Sequence, residues 1–252
     1  MINSKRHIPN FITCLNLFCG CLAVLFALRG WLGFAVYLVI AAALFDFLDG
    51  FAARLLHAYS SIGKQLDSLA DLVSFGFAPA AMLHYEFCQI LNSHISFGLD
   101  SIPWELYSFF PFLLVVAAAL RLAKFNVDER QSDHFLGLPT PASALFVSSL
   151  LVFVTITPHW MPLLDTVYTI PLLVVLLSWL MLSNVPMFSL KIKALVWNGN
   201  EIRFLFLLFV LIFTVIAFLL GWHWSMILFF ILSGYILLSL IFLIFAATNK
   251  KV

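Results

Sequence analysis

The sequence predicts an all-α protein, a polytopic transmembrane helical bundle of about eight spans. Composition is the first reason: of 252 residues, 63% are hydrophobic and 10% are charged, whereas soluble domains are about 45–50% apolar and about 25% charged. The second reason is that the apolar residues form runs of the roughly 20 residues that a helix needs to cross a bilayer. A soluble enzyme and a disordered chain are thereby excluded. A net charge of +1 leaves no basic surface for nucleic acid.

Eight apolar runs follow one another along the chain. They are residues 10–28, 32–56, 66–86, 105–124, 140–157, 168–185, 203–221 and 223–246. The second run is polar near its end and the third near its start. Between these two runs, the stretch Leu55 to Lys64 contains Ser60, Ser61 and Gly63, and this composition predicts a turn. No internal repeat divides the chain, so one membrane domain is expected.

The basic residues predict how the bundle is oriented. With these eight spans, 12 of the 13 Lys and Arg residues fall at the two ends of the chain and in alternate loops, and Arg29 is the exception. Lysine and arginine accumulate on the cytoplasmic side of membrane proteins. We therefore expect an integral protein of the cell (inner) membrane, with both termini and the loops after the second, fourth and sixth spans in the cytoplasm.

Four acidic residues form a dense cluster in the second and third spans: Asp46, Asp49, Asp67 and Asp71. Spacings of three and four place each pair on one helix face, and the hairpin brings the pairs together at the cytoplasmic end. An ionised side chain at the centre of a membrane helix costs roughly 2.5–3.5 kcal/mol, so these carboxylates need counter-ions. Two Mg²⁺ or Mn²⁺ ions would neutralise them. A hydrogen-bonded helix contact or a cation pathway is the alternative.

The residues beside the carboxylates indicate a ligand. Gly50 and Ala53 leave a notch on the helix face where a ligand could approach the backbone, although close helix packing would use the same small residues. Arg54 offers a planar fork of donors for phosphate oxygens. Carboxylates, metal ions, a notch and an arginine at a membrane surface together favour chemistry on a lipid-borne phosphate.

These residues also form a recognisable pattern, which resembles the signature of the CDP-alcohol phosphatidyltransferase family with every position filled. The pattern is Asp46-x2-Asp49-Gly50-x2-Ala53-Arg54-x8-Gly63-x3-Asp67-x3-Asp71. Further stretches are similar to the phosphatidylserine synthase branch of that family. They are Pro9 to Thr13, Leu66 to Asp71 with Ser74 to Gly76, Arg121 to Val127, and Gly137 to Ala142.

The resemblance implies a six-helix core, formed here by residues 1–190, with residues 191–252 adding a C-terminal pair of spans to the same bundle. It implies a homodimer and a site facing the cytoplasm. Asp46, Asp49 and Asp67 would hold one metal ion, and Asp46, Asp67 and Asp71 would surround a second, with Asp71 as the catalytic base. The residues implied at the CDP-diacylglycerol site are Asn10, Thr13, Gly50, Ala53, Arg54 and Ser60.

The expected substrates are CDP-diacylglycerol, itself a membrane lipid, and L-serine, and the products are phosphatidylserine and CMP. Arg121 and Asn126, at the cytoplasmic end of the fourth span, are the candidates for binding serine, because a cation there could pair with its carboxylate. Anchoring at the membrane interface is the other interpretation of Arg121. Glycerol 3-phosphate or an inositol phosphate are alternative acceptors. A cation transporter is a further alternative, for which acids should be spread along a path through the bilayer.

Overall fold

The computed structural model describes residues 7–94, 104–127, 135–157, 159–160, 164–187 and 201–249, and nearly all of them are helical. The α-helices are α1 (His7–Leu28), α2 (Leu32–Leu55), α3 (Ser61–Asp71), α4 (Ala78–His94), α5 (Trp104–Ser108), α6 (Leu113–Val127), α7 (Thr140–Ile156), α8 (Thr169–Leu182), α9 (Glu201–Leu219) and α10 (Trp224–Asn249). A π-helical segment (Leu72–Phe77) joins α3 to α4, and a 3₁₀ turn (Phe110–Phe112) precedes α6. Strands β1 (Phe135–Leu136) and β2 (Pro186–Met187) form one short antiparallel pair.

The helices confirm the polytopic all-α bundle. Five helical stretches of the described chain are long and apolar enough to cross a membrane: His7–Leu28, Leu32–Leu55, Ser61–Ser93, Leu106–Val127 and Trp224–Ile241. Three shorter apolar helices are Thr140–Ile156, Thr169–Leu182 and Phe204–Leu219. These eight stretches coincide with the eight predicted runs. The division of the chain at residue 190 remains a prediction, because residues 188–200 lie outside the described residues. The cytoplasmic location of the termini also remains a prediction.

The turn between the second and third spans is shorter than the sequence suggested. α3 begins at Ser61, so the turn covers only residues 56–60, and its predicted extension to Lys64 was wrong. The reason is local: the Ser60 hydroxyl oxygen accepts a hydrogen bond from the Gly63 main-chain N–H at 2.9 Å. A serine in this position caps a helix and stabilises its first turn.

The third helical stretch is longer than the bilayer is thick. Ser61–Ser93 contains 33 residues, and at about 1.5 Å per residue it extends roughly 50 Å, against a hydrocarbon core of about 30 Å. Its first turns contain Lys64, Gln65 and Asp67, which are costly to place in hydrocarbon. We therefore expect α3 to lie at the membrane surface, where water-soluble molecules can reach it.

Helix α1 is the centre of the first half of the bundle and packs against α2, α3, the π-helical segment and α4. Small residues allow this close approach, among them Gly20, Ala23 and Ala27, which are buried in α1. At Gly20 the requirement is strict, because an added Cβ would lie 2.8 Å from the Cα atom of Ser74. This packing holds the polar ends of α2 and α3 against the start of α1.

The later helices surround this unit. α7 packs against α2 and the π-helical segment, while α6 packs against the same segment and against α8. The last helix, α10, packs along α7, where Phe229 contacts the rings of Phe146 and Phe153. α10 is therefore part of the same helical bundle as α7.

Candidate active site

Three carboxylates converge where α2 and α3 face each other. Asp46, Asp49 and Asp67 each offer an oxygen atom, and these three atoms lie within 4.8 Å of one another. Asp49 is 6% exposed, and the other two are partly buried. Asp49 Oδ2 and Asp67 Oδ1 are buried and accept no hydrogen bond. A buried oxygen without a partner costs about 1–3 kcal/mol, so the protein alone does not satisfy this cluster.

The cluster fits a divalent cation. The Asp46 and Asp67 carboxylates each place an oxygen atom within 4.8 Å of the other. Two carboxylates stay this close when a cation lies between them or when one of them keeps its proton. Oxygen-only ligands of this kind are those that Mg²⁺ and Mn²⁺ prefer. The unpaired oxygens and the convergence of three acids are therefore accounted for if a metal ion is bound here.

Asp71 lies beside this cluster and not within it. It ends α3, one turn beyond Asp67, and is 8% exposed. It interacts electrostatically with Asp46 and Asp67, but it is not among the residues whose oxygens converge. The structure thus brings three of the four predicted acids together and keeps the fourth within electrostatic reach.

Asn16 is a site residue that sequence reasoning missed. It is fully buried in α1, and its side-chain Nδ2 donates a hydrogen bond to Asp71 Oδ1 at 3.4 Å. A signal was present, because Thr13, Asn16 and Gly20 follow one another at spacings of three and four. That spacing puts them on one face of α1, the same face that carries the predicted residue Thr13.

A cavity of about 580 Å³ opens beside the carboxylates, within the range of small-molecule sites. Asp49 and Asp67 form part of its wall. All six residues predicted for the CDP-diacylglycerol site also line it: Asn10, Thr13, Gly50, Ala53, Arg54 and Ser60. Pro9, Ala58, Tyr59, Ser61, Gly63 and Lys64 complete the lining.

Gly50 can now be distinguished from a residue that serves close helix packing. A Cβ atom added at Gly50 would meet nothing within 4 Å, so Gly50 faces open space. The alternative of close helix packing at Gly50 was therefore wrong. At Gly63 an added Cβ would lie 2.9 Å from Ser60 Oγ and 3.0 Å from Asn10 Oδ1. The glycine there allows Asn10 to approach the first turn of α3.

The candidates for binding the acceptor occupy different surroundings. Arg121 is 8% exposed, its Nε makes no hydrogen bond, and it interacts electrostatically with Asp71 and with Tyr235 of α10. Such burial does not fit an arginine that extends to the membrane interface. Asn126 has partners already: its Nδ2 donates to Ser68 Oγ at 2.8 Å, and its main-chain carbonyl oxygen accepts from Lys64 Nζ at 3.1 Å. It joins the end of α6 to α3.

Comparison with known proteins identifies the family. A family model described as CDP-alcohol phosphatidyltransferase matches residues 6–175. The chain belongs to the CDP-alcohol phosphatidyltransferase family. The matched segment contains the carboxylate cluster, the whole cavity lining, Asn16 and Arg121, whereas α9 and α10 lie beyond it. This chain is therefore a membrane-embedded member of a family of phosphatidyl-transferring enzymes that generally depend on divalent metal ions.

Several relatives of this CDP-alcohol phosphatidyltransferase are named for serine. The CDP-diacylglycerol–serine O-phosphatidyltransferase of Helicobacter pylori (strain ATCC 700392 / 26695) is 32% identical over 201 residues, which cover 78% of this chain and 77% of the relative. The enzyme of the same name from Bacillus subtilis (strain 168) is 35% identical over 180 residues, covering 71% and 89%. The archaetidylserine synthase of Methanothermobacter thermautotrophicus is 34% identical over 159 residues, covering 59% and 61%.

Proposed function

We propose that this chain transfers the phosphatidyl group of CDP-diacylglycerol to the hydroxyl group of L-serine, forming phosphatidylserine and releasing CMP. The observation that carries this proposal is a carboxylate cluster fitted for a metal ion, in the wall of a cavity that also contains Arg54. The names of the relatives supply the donor and the acceptor.

Asp46, Asp49 and Asp67 would hold one divalent cation, Mg²⁺ or Mn²⁺, and Asp46, Asp67 and Asp71 would surround a second. Bound there, the ions supply electrostatic stabilisation of the pyrophosphate and of the departing CMP. The unpaired oxygens of Asp49 and Asp67 are the atoms that this assignment accounts for.

The cavity residues would bind the donor. Arg54 is exposed on the cavity wall and can hold a phosphate group through two parallel hydrogen bonds. Gly50 presents no side chain, so the nucleotide or its pyrophosphate can approach the backbone of α2. The Ser60 oxygen accepts from Gly63, which leaves the hydroxyl proton free to be donated to the ligand.

Asp71 would act as the general base. As the serine hydroxyl oxygen attacks the phosphorus on the diacylglycerol side of the pyrophosphate, its proton passes to the Asp71 carboxylate. The new phosphorus–oxygen bond forms while the bond to the CMP oxygen breaks. A positioned carboxylate assists such a transfer during attack and does not need to deprotonate the alcohol beforehand.

We assign serine's carboxylate to Arg121 and predict the effect of removing it. Arg121→Ala should raise the KM for serine by about tenfold to hundredfold, since a hydrogen bond to a charged group contributes about 1.5–3 kcal/mol. The KM for CDP-diacylglycerol should change little. Lys124→Ala is the matched control, because Lys124 lies on the same helix, is exposed and bonds to Asn184 Oδ1. An unchanged serine KM in Arg121→Ala would remove Arg121 from the serine site.

Asn126 belonged to the same predicted serine site, and in our proposal it acts indirectly. Its amide and carbonyl groups hold α6 against α3 through Ser68 and Lys64. This contact would keep Arg121 near Asp71, so Asn126 would shape the acceptor side without touching serine.

Release of CMP from CDP-diacylglycerol by the purified protein tests the function directly. We expect release only when both L-serine and a divalent cation are present. Glycerol 3-phosphate and an inositol phosphate serve as competing acceptors in parallel reactions. Release of CMP with one of them and not with serine would show that this alcohol, and not serine, is the acceptor. No release with any alcohol would revive the transporter alternative, which the grouping of the acids at one end of α2 and α3 disfavours.

We propose that the site faces the cytoplasm of the cell membrane and that two copies form a homodimer. Cytoplasmic orientation is supported by the distribution of lysine and arginine. It would also give the site access to serine and let CMP leave into water. Labelling of single cysteines placed at Tyr59 and Arg29, from either side of sealed vesicles, would test the orientation.

A further inference from the structure

Asn16 has a chemically defined orientation. It is fully buried, and its hydrogen-bonding partner is a carboxylate oxygen of Asp71. A carboxylate oxygen accepts hydrogen bonds, so the NH₂ group of the amide must face it. The direction of the Asn16 side chain therefore follows from its partner.

The other atom of this amide is left without a partner. Asn16 Oδ1 is buried and makes no hydrogen bond. Helix packing alone does not account for such a residue, because leucine would fill a similar volume with no unpaired oxygen. The hydrogen bond to Asp71 is the interaction that distinguishes asparagine from leucine here.

The backbone of Asn16 is held by the segment that follows Asp71. The Ser74 hydroxyl donates to the Asn16 carbonyl oxygen at 3.0 Å, and Ser74 fits against α1 because residue 20 is glycine. Asp71 and Ser74 lie three residues apart, so both contacts of Asn16 come from one short segment. α1 and this segment are thereby fixed relative to each other at the level of the Asp71 carboxylate.

We infer that Asn16 is a positioning residue, which holds Asp71 Oδ1 and so keeps the other carboxylate oxygen available for the hydroxyl of the acceptor. Asn16 acts through Asp71 and does not contact the substrate. This inference rests on the proposed function, in which Asp71 receives the acceptor proton.

Asn16→Leu is the direct test. We expect kcat for CMP release to fall about 100-fold, because a small misplacement of a reacting group has an effect of that size. The KM values for serine and for CDP-diacylglycerol should stay within about twofold of the wild type, since binding residues are untouched. The increase in melting temperature on adding Mn²⁺ should also persist, because Asp46, Asp49 and Asp67 remain. Asn16→Asp should be at least as impaired, since it removes the donor.

A glycine pair provides a second test that leaves Asn16 in place. Gly20→Ala would push Ser74 away from α1 and should lower kcat about tenfold, again with little change in either KM. Gly33→Ala is the control, because a Cβ there meets nothing within 4 Å. This pair decides the question if Asn16→Leu does not yield folded protein.

Two results would overturn the inference. One is a kcat within threefold of wild type in Asn16→Leu or, where that variant does not fold, in Gly20→Ala. The other is a raised serine KM with unchanged kcat, which would make Asn16 a substrate contact. Failure of the proposed function is a separate observation, since it is read from the wild-type protein as no CMP release with serine.

Discussion

Replacing Asp71 with asparagine should abolish CMP release while leaving the binding of CDP-diacylglycerol nearly unchanged. Asparagine has almost the same shape as aspartate but cannot take a proton from the serine hydroxyl. A general base contributes about 10²–10⁴-fold to a rate, and this position also borders the proposed second metal ion. Donor binding should persist because Asp71 is not part of the cavity lining. Single-turnover CMP release and equilibrium binding of a CDP-diacylglycerol analogue measure the two properties separately.

The matched control for this experiment is Asp165→Asn, which makes the same chemical change at an exposed acid outside the cavity. It should retain wild-type turnover. Turnover in Asp71→Asn close to that of the control would remove Asp71 from the role of base. Loss of donor binding together with turnover would instead make Asp71 a binding residue.

Removing the metal ion should abolish activity. It should also reverse the effect of Asp46→Asn on the melting temperature. Chelation should stop CMP release, and Mg²⁺ or Mn²⁺ should restore it. Without metal, oxygen atoms of Asp46 and Asp67 lie within 4.8 Å of each other with no cation between them, so we expect Asp46→Asn to melt at a higher temperature than wild type. Relief of repulsion between two such charges is worth about 1 kcal/mol or more. With metal bound, wild type should melt at the higher temperature. A metal concentration 100 times the dissociation constant raises its free energy of unfolding by about 2.7 kcal/mol.

Melting temperatures of both proteins, in chelator and in saturating Mn²⁺, test this prediction without any assay of turnover. Asp165→Asn is again the control, and adding Mn²⁺ should raise its melting temperature by the same amount as that of wild type. Equal gains from Mn²⁺ in wild type and Asp46→Asn would remove Asp46 from the metal site. A lower melting temperature for Asp46→Asn in chelator would show that the cluster is held by hydrogen bonds and not strained by repulsion.

Much of the fold could be predicted because a lipid environment restricts the sequence. Helices that cross a bilayer must be apolar over about 20 residues, so the eight runs were visible in composition alone. The acids were equally visible, since Asp46, Asp49, Asp67 and Asp71 stand out in apolar surroundings and their spacing fixes their helix faces. The convergence of Asp46, Asp49 and Asp67 could be predicted because α2 and α3 form a helical hairpin.

The contacts between distant helices could not be predicted. Asn16 meets Asp71 because α1 crosses α3 at a particular depth, and Asn126 meets Ser68 because the end of α6 reaches α3. Neither crossing is encoded in a local pattern. The length of the turn before α3 was also missed, because it depends on whether the Ser60 side chain points toward the Gly63 N–H.

The cavity lining has a consequence for how the protein is made. Its residues all lie between Pro9 and Asp67, whereas Arg121 and Tyr235 come from α6 and α10. Because chains are synthesised from the amino terminus and fold as segments emerge, the first three spans can assemble the proposed donor half of the site while the ribosome is still translating the rest. In our proposal the acceptor half, which contains Arg121, is added to it afterwards, when the later spans join the bundle.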